Sequence, residues 1–151
     1  MSDAITIRLA QQADAQHLVD FNQTMARETE DKELIADVVS AGVRGLLNNP
    51  DLGFYVVAEC GNEVVGSLMV TMEWSDWRNG IFWWIQSVYI VPDYRRKGIY
   101  RRLYEFVKAR AQEHNVCGFR LYVEKGNEVA QRTYEALGME ETHYKMYEQM
   151  T

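Results

Sequence analysis

The sequence predicts an α/β (α+β mixed-sheet) protein, and three observations support this class. Strand-like alternation of apolar residues and helix-like periodicity take turns along the chain. Gly61-Asn62 lies between two apolar runs and is a two-residue hairpin signal, which predicts antiparallel pairing. The unit from Ile81 through Val123 has the pattern strand, helix, strand, and such a crossover requires parallel pairing with a right-handed connection.

The first third of the chain is predicted to hold one strand and two helices. Ile5, Ile7 and Leu9 alternate with polar residues, as in a half-buried strand. A helix is predicted to begin at Asp14, whose side chain is suited to capping it. A second helix is predicted over 32–48, because its apolar residues recur on one face and Asn and Pro residues follow.

The middle of the chain is predicted to supply three strands of the sheet. Residues 54–59 and 64–72 flank the hairpin signal and are rich in valine. The polar residues 75–80 form the next turn, and 81–91 is a long apolar strand. These strands make up the antiparallel part of the predicted sheet.

The last third of the chain is predicted to continue the alternation of helices and strands. A helix is predicted over 98–113, a strand over 119–123 and a short helix over 129–137 that ends at Gly138. Residues 142–148 alternate again and are predicted to form the last strand. The complete predicted order is β-α-α-β-β-β-α-β-α-β.

Composition limits the class of protein and its partners. The 151 residues suit one domain, and the net charge of −6 argues against general nucleic-acid binding. No apolar run approaches the roughly 20 residues of a membrane helix, and the first residues do not resemble a signal peptide. Cys60 and Cys117 form no disulfide framework and suit a reducing compartment. We therefore expect a cytoplasmic protein that binds neither membranes nor nucleic acids.

The segment that follows the long strand has the features of an anion site. A Pro-Asp turn leads into a basic loop that contains Gly98, and an amphipathic helix begins there. The first backbone N–H groups of a helix lack partners within it, and the helix dipole adds partial positive charge. A phosphate or pyrophosphate is the anion that such a loop suits best. The loop contributes three cationic side chains, those of Arg95, Arg96 and Lys97.

Two motifs resemble those of the GNAT superfamily of N-acetyltransferases. The first is the strand–loop–helix pattern V-x-P-x-[YF]-[RQ]-x-x-G-x-[GA]. Residues 90–100 follow it at the end of the Val88-Tyr89-Ile90 strand, with Ile90 at the valine position and Tyr100 in place of the final Gly or Ala. The second is L-x-V-x-x-x-N-x-x-A-x-x-x-Y-x-x-x-G-[FM], which residues 121–139 match at every fixed position. The resemblance is close over the C-terminal half and extends to the N-terminal half in element order. It implies the GNAT acyl-CoA N-acyltransferase fold, with splayed central parallel strands, as one domain over 1–151.

The resemblance also implies acetyl-CoA as acetyl donor and a set of residues that bind it. In the family the pantetheine arm lies in the gap between the splayed strands, and it would bond here to the backbone of Val88 and Ile90. The N–H of Val88 would also stabilise the oxyanion. The implied cofactor-binding residues are Val88, Tyr89, Ile90, Arg95, Arg96, Lys97, Gly98, Ile99, Tyr100, Asn127 and Tyr134.

Two downstream residues receive roles from the same resemblance. Tyr134 matches the tyrosine that serves many members as general acid toward the CoA sulfur, and a phenol keeps its proton at neutral pH. On periodicity alone it would be a core aromatic of a short helix. Asn127 matches a residue that bonds the CoA arm and caps the next helix, and as a cap it would need no ligand.

The sequence does not identify the general base. Several members have a glutamate on the strand before the phosphate loop, but the corresponding residue is Gln86, which cannot accept a proton at useful pH. Three alternatives to a glutamate base remain. The first is a water chain, the second is an acceptor whose amine is already neutral and needs no base, and the third is one of four side chains that are more typical of a solvated surface. These four are Glu73, Asp76, Glu124 and His143.

The aromatic segment 74–84 lies near the acceptor end of the family's cleft. Aromatic faces beside carboxylates bind ammonium groups, which would favour a small cationic amine as acceptor. The alternative is that Trp83 and Trp84 pack on opposite faces of the sheet, while the other aromatic residues brace the hairpin or a dimer contact.

The functional prediction is an acetyl-CoA-dependent N-acetyltransferase that acts on a primary amine, with a small-molecule acceptor favoured and direct attack in a ternary complex. The alternatives are a non-catalytic acyl-CoA-binding or regulatory domain, which Gln86 favours, and a protein N-acetyltransferase. A homodimer is compatible with the apolar segments. No metal is expected, because the three histidines show no ligand spacing.

Overall fold

The computed structural model describes residues 4–151 and divides the chain into two compact units. The larger unit ends at Leu121, and the smaller unit is Tyr122–Thr151. The larger unit contains β1 (Ile5–Leu9), α1 (Ala15–Glu30), α2 (Ala36–Leu47), β2 (Gly53–Cys60), β3 (Glu63–Ser75), β4 (Gly80–Ile90), α3 (Ile99–Ala111) and β5 (Val116–Arg120). The smaller unit contains α4 (Glu128–Ala136).

The five strands form one mixed sheet in the order β1-β2-β3-β4-β5. The first four strands pair antiparallel, and β5 pairs parallel to β4 after the crossover through α3. The predicted fold class and the predicted crossover are therefore confirmed. None of the helices within residues 4–151 is both long enough and apolar enough to cross a membrane.

Helices cover both faces of the sheet. Leu18 of α1 and Val43 of α2 belong to a buried cluster with Tyr55 and Val57 of β2. On the other face, Tyr104 of α3 meets Phe119 of β5 edge-on, with ring centres 5.8 Å apart. Burial of these apolar residues is the main source of stability, at about 25 cal/mol per Å².

β4 and β5 stay paired over only part of their length. The parallel register runs from Ile81 opposite Val116 to Trp84 opposite Arg120, where β5 ends. Within the described residues, the rest of β4 pairs with β3 alone. An open edge therefore lies along the C-terminal half of β4, on the side of β5.

The strand predicted over 119–123 begins three residues earlier, at Val116. The backbone N–H of Ile81 donates to the carbonyl of Asn115, and the Asn115 amide donates to the carbonyl of Asn79. These contacts fix the start of β5 against the start of β4. Such tertiary hydrogen bonds are invisible in the local residue pattern.

The prediction of a strand over 142–148 is wrong, because these residues form no strand and all of them are exposed. The backbone N–H of Tyr144 instead bonds locally to the Thr142 hydroxyl. Alternation predicts a strand only where a neighbouring strand accepts its backbone hydrogen bonds and a core covers one face. Neither condition is met for this segment in the structure.

A charged network ties β1, β2 and the turn before α1 together. The Arg8 guanidinium donates to both carboxylate oxygens of Asp14, at 2.8 and 3.0 Å, and to Glu59 at 2.6 Å. The Asp14 carboxylate also accepts from the Gln11 backbone N–H at 2.7 Å. Because Arg8 donates these bonds, the pKa of the buried Asp14 lies below its ordinary value near 3.8.

We expect Asp14→Asn to lower the free energy of unfolding by about 1.5 kcal/mol near neutral pH, since charge-assisted hydrogen bonds are lost. A carboxyl with a depressed pKa stabilises the fold above its unfolded pKa, and this contribution disappears as pH falls through the folded pKa. The difference between native protein and variant should therefore be constant from neutral pH to about pH 5 and should shrink below about pH 4. Urea unfolding across this range measures it, and a difference that grew on acidification would contradict the assignment.

Candidate functional site

The loop between β4 and α3 is exposed and conformationally specialised. A short 3-10 turn, Pro92–Tyr94, follows β4, and Gly98 is the residue that caps α3. Gly98 has φ of 77°, in the left-handed region, and a Cβ built there would meet nothing within 4 Å. Arg96 also has a positive φ, of 64°. The space around Gly98 and the first N–H groups of α3 is thus open to an anion.

The three cations of this loop have different surroundings. Arg95 is bound within the protein, since its Nε donates to the carbonyl of Ile90 at 2.8 Å and its Nη2 donates to Glu28 at 2.9 Å. Arg96 and Lys97 are exposed, with the Lys97 ammonium 5.5 Å from the Tyr94 ring centre. Arg96 and Lys97 are therefore the loop cations that could bind a phosphate without breaking a salt bridge of the described residues, whereas Arg95 would exchange its bond to Glu28.

Glu28 is a residue of this region that sequence reasoning missed. It lies near the C-terminal end of α1, where a negative charge opposes the helix dipole. The structure gives it a partner, because its carboxylate forms a salt bridge with Arg95. In the sequence, the unfavourable position of Glu28 was the one indication that a cation from elsewhere in the chain compensates its charge.

The C-terminal half of β4 presents backbone rather than side chains at its open edge. The N–H of Val91 donates to Val65, so the N–H and carbonyl of Ile90 point away from β3, as alternation in an antiparallel ladder requires. The Tyr89 side chain is buried against Phe21, and burial and the nearby Glu28 charge raise its pKa. Any contact of these residues with a ligand would therefore use their backbone.

A β-bulge interrupts the pairing of β4 with β3 at Ser87 and Val88. These two residues lie opposite Leu68 alone, between the pairs Gln86–Met69 and Tyr89–Ser67. Ser87 has φ of 51°, which is uncommon for a residue with a side chain. A bulge leaves one residue outside the ladder and re-aims its backbone groups. The bulge includes Val88, whose N–H the family resemblance implies as an oxyanion donor.

The first turn of α3 accommodates Tyr100, the departure from the family motif. Ile99 is buried, and the Tyr100 ring stacks parallel to that of Tyr104 one turn later, with centres 6.1 Å apart. The aromatic ring thus lies along the helix, away from the open space at Gly98.

In the smaller unit, α4 carries the two predicted residues Asn127 and Tyr134. The Asn127 side chain accepts from the N–H of Ala130 at 3.2 Å, so it caps α4. Tyr134 is partly buried, and burial raises its pKa above the ordinary value near 10. Gly138 follows the helix with φ of 96°. The phenol of Tyr134 consequently keeps its proton at neutral pH.

The candidates for a general base lie in unlike surroundings. Gln86 donates to the Thr71 hydroxyl at 2.6 Å, across from β4 to β3. Glu73 accepts on one oxygen from Trp84 and from Arg120, both at 2.9 Å. The other three, Asp76, Glu124 and His143, are all exposed. The described residues contain no group of three or more His, Cys, Asp or Glu side chains placed to hold a metal ion.

Comparison with known proteins agrees with these features. The model of the acetyltransferase (GNAT) family matches residues 10–139. Among solved structures, a possible acetyltransferase from Clostridium difficile 630 has 47% sequence identity, with 97% of each chain covered and a TM-score of 0.90. A search of curated proteins gave no match.

Two more distant structures share the fold. A ribosomal-protein-alanine N-acetyltransferase from Brucella melitensis biovar Abortus 2308 has 17% identity, covers 98% of this chain and 99% of its own, and has a TM-score of 0.79. The aminoglycoside N-acetyltransferase AAC(6')-Iy in complex with CoA has 15% identity, covers 99% of this chain and 97% of its own, and has a TM-score of 0.80. At such low identity, both support the fold alone.

Proposed function

Since the chain belongs to the GNAT acetyltransferase family, we propose that it transfers an acetyl group from acetyl-CoA to the primary amine of a small molecule in a ternary complex. One observation carries this proposal: the open, left-handed Gly98 loop starts α3 beside an edge of β4 that β5 leaves free. The loop suits the pyrophosphate of CoA, and the strand edge suits its pantetheine arm. The family model crosses the boundary of the two units, which supports a single catalytic domain over 1–151.

The residues present fit the acetyl donor. Gly98, Ile99 and Tyr100 would offer backbone N–H groups to the pyrophosphate, with Arg96 and Lys97 adding charge. The backbone of Val88 and Ile90 would bond the pantetheine arm as an added strand does. Arg95 must first release the carbonyl of Ile90, or leave only the N–H of that residue for the ligand. Asn127 would support the arm while it caps α4.

Acetyl-CoA supplies the acetyl group as a thioester: the amine nitrogen bonds to its carbonyl carbon while the bond from carbon to sulfur breaks. The N–H of Val88, at the bulge, would stabilise the negative charge that develops on the carbonyl oxygen. The Tyr134 hydroxyl would give its proton to the departing sulfur and regain one from water. Gln86 accepts no proton, and Glu73 is held by two donors. The other candidates, Asp76, Glu124 and His143, are exposed as solvated surface groups are. We therefore propose that water takes the proton from the amine.

Two experiments test the proposal. The first is a calorimetric titration with acetyl-CoA, and the second is a CoA-release assay over a panel of amines. We expect saturable binding, and release of CoA that depends on the amine. Binding without release for any small amine or peptide would favour the acyl-CoA-binding alternative, and release with peptides alone would favour a protein acetyltransferase. Absence of binding would overturn the proposal.

We also propose a cellular compartment and an oligomeric state for the protein. The chain has only two cysteines, Cys60 and Cys117, which form no disulfide framework, and this supports a reducing, cytoplasmic compartment. A homodimer is supported by the exposed apolar side chains of Met72, Trp74 and Trp77 at the β3–β4 hairpin.

A further inference from the structure

We infer that the acceptor amine carries an anionic group, a carboxylate or a phosphate, which Arg78 and Arg120 bind on the sheet face of Trp84 and Gln86. This inference rests on the proposed acetyltransferase function and names the class of its second substrate. It follows from the packing of two guanidinium groups on one aromatic ring, from the charge balance around them, and from their place on the sheet.

Phe82 organises the two arginines. Its ring centre lies 3.6 Å from the guanidinium carbon of Arg120 and 5.1 Å from that of Arg78. The ring rests directly on the backbone of β5, since a Cβ built on Gly118 would come within 2.8 Å of it. The ring therefore holds both cations near one point, although they come from the β3–β4 turn and from β5. Stacking fixes a guanidinium while leaving its N–H donors free for an anion.

Of the two guanidinium groups on Phe82, only that of Arg120 forms a salt bridge with a described residue. Arg120 forms a salt bridge with Glu73, whose carboxylate also accepts from the Trp84 indole. Among the residues described, no carboxylate lies within salt-bridge distance of Arg78. The positive charge of Arg78 is thus exposed and outside any salt bridge of the described residues, on a protein of net charge −6. A single anionic group on a ligand would balance it.

The cluster lies on the acceptor side of the proposed cleft. Phe82, Trp84 and Gln86 alternate along β4, so they share one face of the sheet. The pair Trp84–Arg120 is the last parallel pair before β5 ends, and Gln86 follows it along the open part of β4. One step of two residues along a strand spans about 7 Å. The reacting amine and its anionic group would therefore be separated by a short chain.

The same contacts argue against a polycationic acceptor at this position. The sequence alone favoured a cationic amine, because aromatic rings and carboxylates occur together in 74–84. In the structure, the protein's own guanidinium groups lie over Phe82, and Arg120 and Trp84 bind Glu73. At Phe82, an added ammonium group would meet Arg78 and a Glu73 carboxylate that Arg120 and Trp84 already bind.

The test compares ω-amino carboxylates and ω-aminoalkyl phosphates of increasing chain length with the matching ω-amino amides and diamines. We expect the best anionic amine to have the highest kcat/KM, and the better of the two anionic series to identify the group. Arg78→Gln should raise KM for that amine about tenfold, because a charge-assisted contact is lost, with kcat unchanged and no effect on the amide. Arg110→Gln is the matched control: its guanidinium lies 5.1 Å from the ring centre of Phe54, on the opposite face of the sheet.

Preference for diamines or amides, or an equal effect of Arg78→Gln on all series, would overturn the inference while leaving acetyl transfer in place. If acetyl-CoA binds and no amine reacts, glutarate and inorganic phosphate are titrated into the CoA complex instead. Binding of either probe that Arg78→Gln weakens and Arg110→Gln does not would support the anion site although the proposed function had failed. Absence of binding by both probes would overturn the inference.

Discussion

Tyr134→Phe is expected to lower kcat by about 100-fold, with little change in the dissociation constant for acetyl-CoA. A positioned general acid contributes roughly 10² to 10⁴ in rate, and phenylalanine removes the proton while keeping the ring. Without the hydroxyl, the sulfur must leave as a thiolate that only water can protonate. A fall in kcat at constant affinity for the donor is the signature of a group that acts in the transition state.

The surroundings of Tyr134 make the prediction specific in its pH dependence. Burial raises the pKa of the phenol above its ordinary value near 10, so the protonated form persists throughout the neutral range. The native rate should therefore rise with pH as the acceptor amine loses its proton, and any loss through Tyr134 should begin only above about pH 10. The Phe variant should keep the rising limb and lack the descending one.

Tyr55→Phe is the matched control. Tyr55 is another buried tyrosine whose pKa burial raises, but it belongs to the core cluster beneath α1 and α2. Its replacement should leave kcat within about threefold of native, since buried hydroxyl deletions affect mainly stability. Equal kcat for native protein and Tyr134→Phe would remove Tyr134 from the chemistry and leave it as a packing residue of α4.

The larger part of the fold was predictable because it depends on local patterns. Gly61-Asn62 marks the β2–β3 hairpin, and the apolar periodicity of α3 between β4 and β5 requires the parallel crossover. The strand predicted over 142–148 failed for the complementary reason. Its alternation is as clear as that of β1, but a strand exists only where a neighbour pairs with it.

The chemical character of the site was less predictable, because it depends on partners that are distant in sequence. A basic loop predicts phosphate binding by its cations, and it does not show that Arg95 also bonds to Glu28 from α1, 67 positions away. The segment 74–84 is rich in aromatic residues, yet Arg120 from β5 covers Phe82 and bonds to Glu73. Only the pairing of β4 with β5 brings Arg120 there. Residue types predicted a charged aromatic segment, and tertiary contacts placed two guanidinium groups on its Phe82 ring.

Gly98→Asp is expected to weaken acetyl-CoA binding about 30-fold, whereas Gly98→Asn should weaken it far less. Both side chains tolerate the left-handed conformation better than most residues do, and a Cβ at Gly98 meets no protein atom within 4 Å. The two variants have nearly the same shape and differ by one negative charge. Beside a pyrophosphate, that charge costs about 2 kcal/mol, which corresponds to the 30-fold loss.

The comparison separates the phosphate site from general destabilisation. Gly138 also has a positive φ, of 96°, with nothing within 4 Å of a built Cβ, so Gly138→Asp has a similar backbone cost outside the loop. Calorimetric titration of the three variants should therefore show a large loss for Gly98→Asp alone, and the loss should diminish as salt screens the added charge. Equal affinities for the Asp and Asn variants at Gly98 would mean that the pyrophosphate lies elsewhere. In that case the first turn of α3 would contribute to the fold and would not bind acetyl-CoA.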